Sequence, residues 1–249
     1  MNIPGVFTVG ASDRNDQQSD YSPTINAGSN NNQFIDVTAP SHRAYPPSAY
    51  PNGDGGVAGE TFEVWSIDIP NSSGYNPWPA GSTVQPPFIG ERLPSSGVNF
   101  LSYTGRFGGT SAACPQIAGI AALVLSVNPN FTQQQVFDAI TGSADKVGGY
   151  AYSNGQSNEL GYGRANACRA VLQSLSIAGA NQFCSGTSSY SVANSPANFS
   201  YTWSSSNTNI ATIDAASGVA TGVGNGLVTF TATTSSGCST SVSKTVQVG

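Results

Sequence analysis

Ser111 is the residue whose type and setting could support nucleophilic chemistry. It lies in GGTSAACPQIAGIAALVLSV, residues 108–127. Pro115 has no N–H for the carbonyl of Ser111 and its ring crowds that carbonyl, so a regular helix is predicted to begin at or after Ser111. Unpaired N–H groups and the macrodipole favour negative charge at a helix start, such as the charge on a carbonyl oxygen under attack. Ser111 is therefore a candidate nucleophile, and the simpler alternative is an N-cap.

The residues beside Ser111 are small. Gly108, Gly109 and Thr110 precede it and two alanines follow it, which leaves room for a peptide backbone to approach the hydroxyl. The helix behind the serine is apolar on all sides, which is typical of a buried element. Cys114, three residues further on, is expected to be buried with this helix. The pattern predicts a rigid buried helix that presents one reactive side chain.

Further elements must hold this segment in place. Short apolar runs bounded by Gly, Asn, Asp and Pro predict buried strands at 5–12 and 33–40. Thr132 and Gln135 have the spacing of a capping box, and Asn166 is a candidate N-cap for a later helix. These signals predict strands before the serine and two more helices after it.

The region from Ser41 to about Ser102 is too long for an ordinary connection and is rich in Pro, Gly, Ser, Tyr and Trp. Only residues 60–70 have the pattern of a strand. The region could form a lid whose Trp65, Tyr75 and Trp78 grip a substrate. We favour the other interpretation, a surface elaboration that packs its aromatic side chains on itself.

Composition limits the classes of function. The chain has 249 residues, of which 38% are hydrophobic and 8% charged, with a formal net charge of −5. This length can bury one large domain or two smaller ones, and the acidic balance argues against a nucleic-acid partner. The first residues lack a signal-peptide pattern, and no uninterrupted apolar run reaches about 18 residues, so no membrane span is predicted. The chain is either cytoplasmic or lacks its true start.

Four cysteines raise the question of disulfides. They form no CxxC pair, and His42 is the only histidine, so a zinc site is not favoured. Cys184 and Cys238 flank a small β-rich region, and a bridge between them is predicted because small domains gain most from such a crosslink. Two free, buried thiols are the alternative. Whether Cys114 pairs with Cys168 is a question of geometry.

After about Leu175 the chain alternates β-branched and small polar residues, with a turn every 8 to 12 residues. This pattern predicts an all-β sandwich over residues 175–249. Trp203 is predicted to lie in its core. The region TWSSSNTNIATIDAASGVATGVGNGLVTFTAT resembles the Big2 type of bacterial immunoglobulin-like module, which implies a spacer or adhesive unit whose ligand the sequence does not identify.

The segment GGTSAACPQIAGIAALVLSVNPNFT resembles the nucleophile segment of the subtilisin-like (subtilase) serine proteases. Within that family it is more similar to the kexin-like members. GVFTVGASDRNDQQSDYSPTI, IDVTAP and GYGRANA match other landmarks of that family in the same order. The resemblance covers residues 1–173 and implies an α/β fold, a parallel sheet with buried helices, with 41–102 as a long insertion. It implies that Ser111 attacks a peptide carbonyl of a polypeptide substrate and forms an acyl-enzyme, with Gly108, Gly109 and Thr110 lining the approach.

The resemblance also implies what this chain lacks. In the family the catalytic Asp, the HGT-type His and the oxyanion Asn precede the nucleophile, and all three would lie before Met1. In subtilisin, loss of the histidine alone lowers turnover by about 10⁶. The chain is therefore expected to be an N-terminally truncated piece that is nearly inert by itself. His42 is rejected as a replacement base because no HGT-like context surrounds it.

Asp36 is expected to be a structural carboxylate and not the triad acid. A structural calcium ion is possible in the intact family domain, but one carboxylate falls well short of the roughly six to eight oxygens that calcium takes, so no metal ligand is assigned. The resemblance implies a secreted or cell-surface protein that could carry further modules beyond residue 249. The alternative function is a noncatalytic surface or adhesive protein that carries a peptidase remnant and the immunoglobulin-like module.

Overall fold

The computed structural model describes residues 5–24, 35–41, 64–69, 102–196, 199–234 and 238–249, with 103–106 described by their backbone alone. The described chain divides into two compact units. The first comprises Met1–Gly119 and Ala144–Ala165, and the second comprises Ile120–Ser143 and Asn166–Gly249.

The described residues of the first unit contain two pairs of strands. Strands β1 (Val9–Ser12) and β2 (Val37–Pro40) run parallel. They confirm the two predicted strands, which are shorter than the apolar runs that predicted them. Strands β3 (Val64–Ile67) and β4 (Tyr103–Phe107) form an antiparallel pair. In the described residues the parallel part of the predicted sheet is thus limited to two strands.

Three helices follow in the described part of the chain. The starts of the second and third confirm the sequence analysis, and the first begins one residue before the predicted limit at Ser111. Helix α1 covers Thr110–Val127, α2 covers Gln133–Gly142 and α3 covers Ala167–Gln173. Thr132 and Gln135 form the capping box of α2 through reciprocal side-chain and backbone hydrogen bonds. The side chain of Asn166 accepts a hydrogen bond from the backbone N–H of Arg169 and so caps α3.

The prediction that α1 is buried on all sides is wrong for this chain. Ala113, Ile117 and Val124 are buried along one stripe of the helix, whereas Leu123 is 51% and Leu125 37% exposed. Cys114 is exposed as well, which corrects its predicted burial. By length and composition α1 would also suffice to cross a membrane, a test that core helices of soluble proteins pass too. A helix that is apolar on all sides is fully buried only where other elements pack around all of it. The described residues pack against only one face of α1.

The second unit holds the predicted all-β region. Its described strands are β5 (Ser176–Ala178), β6 (Gln182–Phe183), β7 (Gly186–Ser189), β8 (Ser191–Ala193), β9 (Thr202–Ser205), β10 (Ala211–Ile213), β11 (Val219–Gly222), β12 (Gly226–Thr234) and β13 (Thr240–Val248). One sheet has the strand order β10-β11-β7, the other has the order β6-β13-β12-β9, and β5 pairs with β8. Trp203 is 7% exposed, which confirms its predicted place in the core beside Phe230 and Tyr190.

The disulfide joins Cys168 to Cys238, and the predicted bridge between Cys184 and Cys238 is wrong. The Cα atoms of the bridged pair are 6.1 Å apart, within the usual range for a disulfide. Cys184 is exposed and free, as is Cys114. The prediction treated the sandwich as self-contained, whereas Cys168 of α3 packs against the sandwich core and reaches Cys238, two residues before the first residue of β13.

Candidate functional site

Ser111 lies in the first turn of α1 and its side chain is exposed. The turn before it depends on Gly109, whose φ of +79° is in the left-handed region that glycine adopts without strain. The carbonyl of Gly109 accepts a hydrogen bond from the N–H of Ala112 at 3.0 Å. Ala112 and Ala113 are buried beneath the turn. The local fold thus places the hydroxyl of Ser111 at the surface and its small neighbours inside.

Two side chains, linked by a hydrogen bond to each other, restrain this turn. The hydroxyl of Ser41, directly after β2, donates to the carbonyl of Gly109 at 3.1 Å. The hydroxyl of Tyr21 donates to Ser41 Oγ at 2.9 Å. Sequence analysis missed both residues, since Ser41 follows the motif IDVTAP but nothing in its sequence context indicates a partner 68 residues away.

Gln116 makes the second link between α1 and β2. Its side-chain amide donates to the carbonyl of Pro40, the last residue of β2, and to the carbonyl of Ala112, both at 2.8 Å. Two hydrogen-bonded links therefore hold the first turn of α1 against the end of β2. This arrangement positions Ser111 without involving its own hydroxyl.

Ser111 has no catalytic partner in the part of the chain that the structure describes, where no side chain is hydrogen-bonded to its hydroxyl. Activation of a serine needs a base within about 3 Å. His42 lies outside the described residues, as do Tyr75 and Trp78. Trp65 of β3 is described and is 49% exposed. The described site is therefore an exposed serine in a restrained helical turn.

Asp36 is 5% exposed and holds the starts of β1 and β2 together. One of its carboxylate oxygens accepts a hydrogen bond from the backbone N–H of Thr8 at 2.7 Å, and its main-chain carbonyl accepts from the N–H of Tyr162 at 2.8 Å. Burial raises the pKa of Asp36 and the bond from Thr8 partly opposes that rise. These contacts fit the predicted role as a structural carboxylate.

The described acidic residues near this sheet are held by an arginine. The guanidinium of Arg164 pairs with the carboxylates of Asp16 and Asp145. Among the described residues, no three His, Cys, Asp or Glu side chains come together in a group that could hold a metal ion. A calcium site built on several carboxylates does not fit this part of the chain.

Comparison with known proteins gives the family. Residues 2–163 match the model described as the subtilase family, and residues 197–236 match the model described as the intimin immunoglobulin-like domain. A calcium-dependent protease of Nostoc sp. is 40% identical over 130 residues, which are 51% of this chain and 17% of that protein. A second protein of the same name, from Trichormus variabilis, matches over the same shares at 40% identity.

Among solved structures, a serine protease of Aeromonas sobria matches with a TM-score of 0.48 and 16% identity, over 95% of this chain and 54% of that one. The chain spans about one sixth of the length of the two calcium-dependent proteases that it matches. The family model covers more than half of the chain and includes the whole Ser111 turn. The chain therefore belongs to the subtilase family.

Proposed function

We propose that Ser111 is the nucleophile of a serine endopeptidase. The observation that carries this proposal is the exposed position of Ser111 in the first turn of α1, a turn that the hydrogen bonds of Ser41 and Gln116 hold against the end of β2. The membership of residues 2–163 in the subtilase family supports it. Gly108, Gly109 and Thr110 would line the approach of a polypeptide substrate to the hydroxyl.

In the proposed reaction, the oxygen of Ser111 attacks the carbonyl carbon of the scissile peptide, and a base takes the hydroxyl proton. Collapse of the tetrahedral intermediate releases the amine and leaves an ester on Ser111, which water then hydrolyses. In this proposal, N–H groups at the start of α1 would stabilise the negative charge on the attacked oxygen. The position of Ser111 at the start of the helix favours its role as the nucleophile.

The base and its orienting acid would come from a part of the peptidase domain outside this chain. One feature supports this part of the proposal. Leu123 and Leu125 of α1 are exposed although the helix is apolar throughout. By itself the chain is expected to turn over substrate about 10⁶-fold more slowly than a complete domain, by analogy with subtilisin lacking its histidine.

The finer assignments belong to the same proposal. The calcium dependence named for the two relatives could apply to a complete domain, in which other segments would have to supply the ligands. A kexin-like character of the peptidase part and a Big2 type for the β region are further proposals. Together with the intimin-type match, they favour a secreted or surface-attached protein.

A chimera tests the proposal. The matched segment of the Nostoc protease would be replaced by the corresponding residues of this chain, and labelling by a fluorophosphonate and hydrolysis of casein would be measured. We expect labelling at Ser111 and casein hydrolysis, both abolished by Ser111→Ala. Ser126→Ala in the same helix is the control, because its hydroxyl bonds within α1, to the carbonyl of Leu123.

The unmodified chain provides the second arm. It should take up no fluorophosphonate at Ser111, since the proposal places the base outside this chain. Strong labelling of the isolated chain would refute the proposed dependence on an absent segment. A folded chimera with normal calcium response but no labelling would instead favour the alternative, a noncatalytic surface protein with a peptidase remnant.

A further inference from the structure

The end of α1 is bound by a residue of the β region. The side-chain amide of Asn194, in the loop after β8, donates to the carbonyl of Val127 at 2.8 Å. Val127 is the last residue of α1, where helix carbonyls have no partner within the helix. Asn194 adopts a φ of +55°, a left-handed conformation that asparagine tolerates better than most residues. The loop thus presents its amide to the helix end.

A second asparagine, Asn128, links the same end of α1 to α3. The amide of Asn128 donates to the carbonyl of Ser174 at 2.7 Å and to its hydroxyl at 3.1 Å. Ser174 is the C-cap of α3. The side chain of Val127 also packs against the core of the sandwich. The last turn of α1 is therefore held by α3 and by the β region together.

Helix α3 shares its core with the sandwich. Leu172 of α3 is 1% exposed and belongs to the same buried cluster as Trp203 and Phe230. The disulfide between Cys168 and Cys238 joins the helix covalently to the segment before β13. The predicted domain limit at 173–175 runs through this cluster.

We propose that the immunoglobulin-like region is a fixed clamp on helices α1 and α3, and that its surface around Asn194 is an interaction surface whose partner is the C-terminal turn of α1. A flexibly tethered spacer domain would complete its hydrophobic core with its own residues, and its loops would make no contact with the helices. Here the core is completed by α3, and a loop amide is used to cap α1. An external ligand would have to bind the region elsewhere, because this surface is already occupied.

This inference does not depend on the catalytic role of Ser111. The test is hydrogen exchange of the full chain, followed by mass spectrometry, with Asn194→Gly as the main variant. Glycine accepts the positive φ, so the substitution removes the amide donor with little backbone strain. Asn154→Gly is the matched control, because Asn154 also has a positive φ, 51°, and lies exposed in the first unit.

We expect peptides covering residues 120–131 to exchange about two- to tenfold faster in Asn194→Gly, the range that loss of one neutral hydrogen bond gives. The same peptides should be unchanged in Asn154→Gly. Equal exchange in wild type and Asn194→Gly would overturn the proposal. Peptides from β12 and β13 report whether the sandwich itself stays folded.

The double variant Cys168→Ser/Cys238→Ser provides an independent measurement. If the sandwich clamps the helices, heating should expose peptides of α3 and of β12–β13 in one transition, at a lower temperature than in the wild type. Early exchange of α3 while β12–β13 keep wild-type protection would contradict the clamp. That outcome would show a sandwich that folds without the helices.

Discussion

The hydroxyl of Ser41 donates a hydrogen bond to the carbonyl of Gly109, 3.1 Å away. The two residues are 68 positions apart, and the bond joins the end of β2 to the loop before Ser111. Tyr21 extends it by donating to Ser41. The candidate nucleophile is thus positioned by side chains that do not contact its hydroxyl.

Ser41→Ala should loosen the start of α1. The carbonyl of Gly109 would lose one of its donors, at a cost of about 1 kcal/mol. The amide of Ala112, which bonds to the same carbonyl, should exchange with solvent several-fold faster. Hydrogen exchange at residue resolution measures this, and Ser126→Ala is the control. Unchanged exchange at Ala112 would mean that Ser41 does not restrain the turn.

Gly109→Ala and Gly119→Ala should have opposite effects on stability. Alanine at Gly109 must adopt a φ near +79°, which costs about 1 kcal/mol. A Cβ at Gly119 meets no atom within 4 Å, and alanine is favoured over glycine in a helix by about 1 kcal/mol. Urea denaturation compares the two variants with the wild type. If both variants changed the free energy of unfolding by the same amount in the same direction, backbone conformation would not be the cause.

Asp36→Asn should change the pH dependence of stability. Because burial raises the pKa of Asp36 above 3.8 in the folded state, the folded chain binds this proton more tightly than the unfolded chain does. This residue's contribution to stability is therefore greatest at low pH and is lost as the pH rises through the raised pKa. Asparagine keeps an oxygen for Thr8 and carries no charge.

The unfolding free energy of Asp36→Asn minus that of the wild type should become more positive as the pH rises above 3.8. The difference should then level off at higher pH. Denaturation series at several pH values measure it. A difference that moves toward the wild type with rising pH would show that the ionised carboxylate is the favoured form.

Arg164→Gln should weaken the first unit in a salt-dependent manner. Its guanidinium pairs with Asp16 and Asp145, and all three side chains are partly exposed, so we expect a loss of about 1 kcal/mol at low ionic strength and less at 1 M salt. A double-mutant cycle with Asp145→Asn isolates the pair. A coupling energy that grows with salt would exclude an electrostatic origin.

Local signals were sufficient for several elements. Thr132, Gln135 and Asn166 were predicted as caps and act as caps, since each bonds to a backbone group within three residues of itself. The helix after the glycines was predicted to begin at or after Ser111 and begins one residue earlier, at Thr110. Trp203 was predicted to lie in the core of the β region and is 7% exposed. In all these cases a few neighbouring residues carry the physical cause.

The sequence by itself therefore determined the family resemblance, the helix starts and the small residues around Ser111. Tertiary structure decided the partner of Cys238, the exposure of Cys114, the bond from Ser41 to Gly109 and the cap that Asn194 places on α1. Each of these depends on which surfaces meet after folding. Residues tens of positions apart become neighbours only through the packing of the elements between them, which no local pattern records.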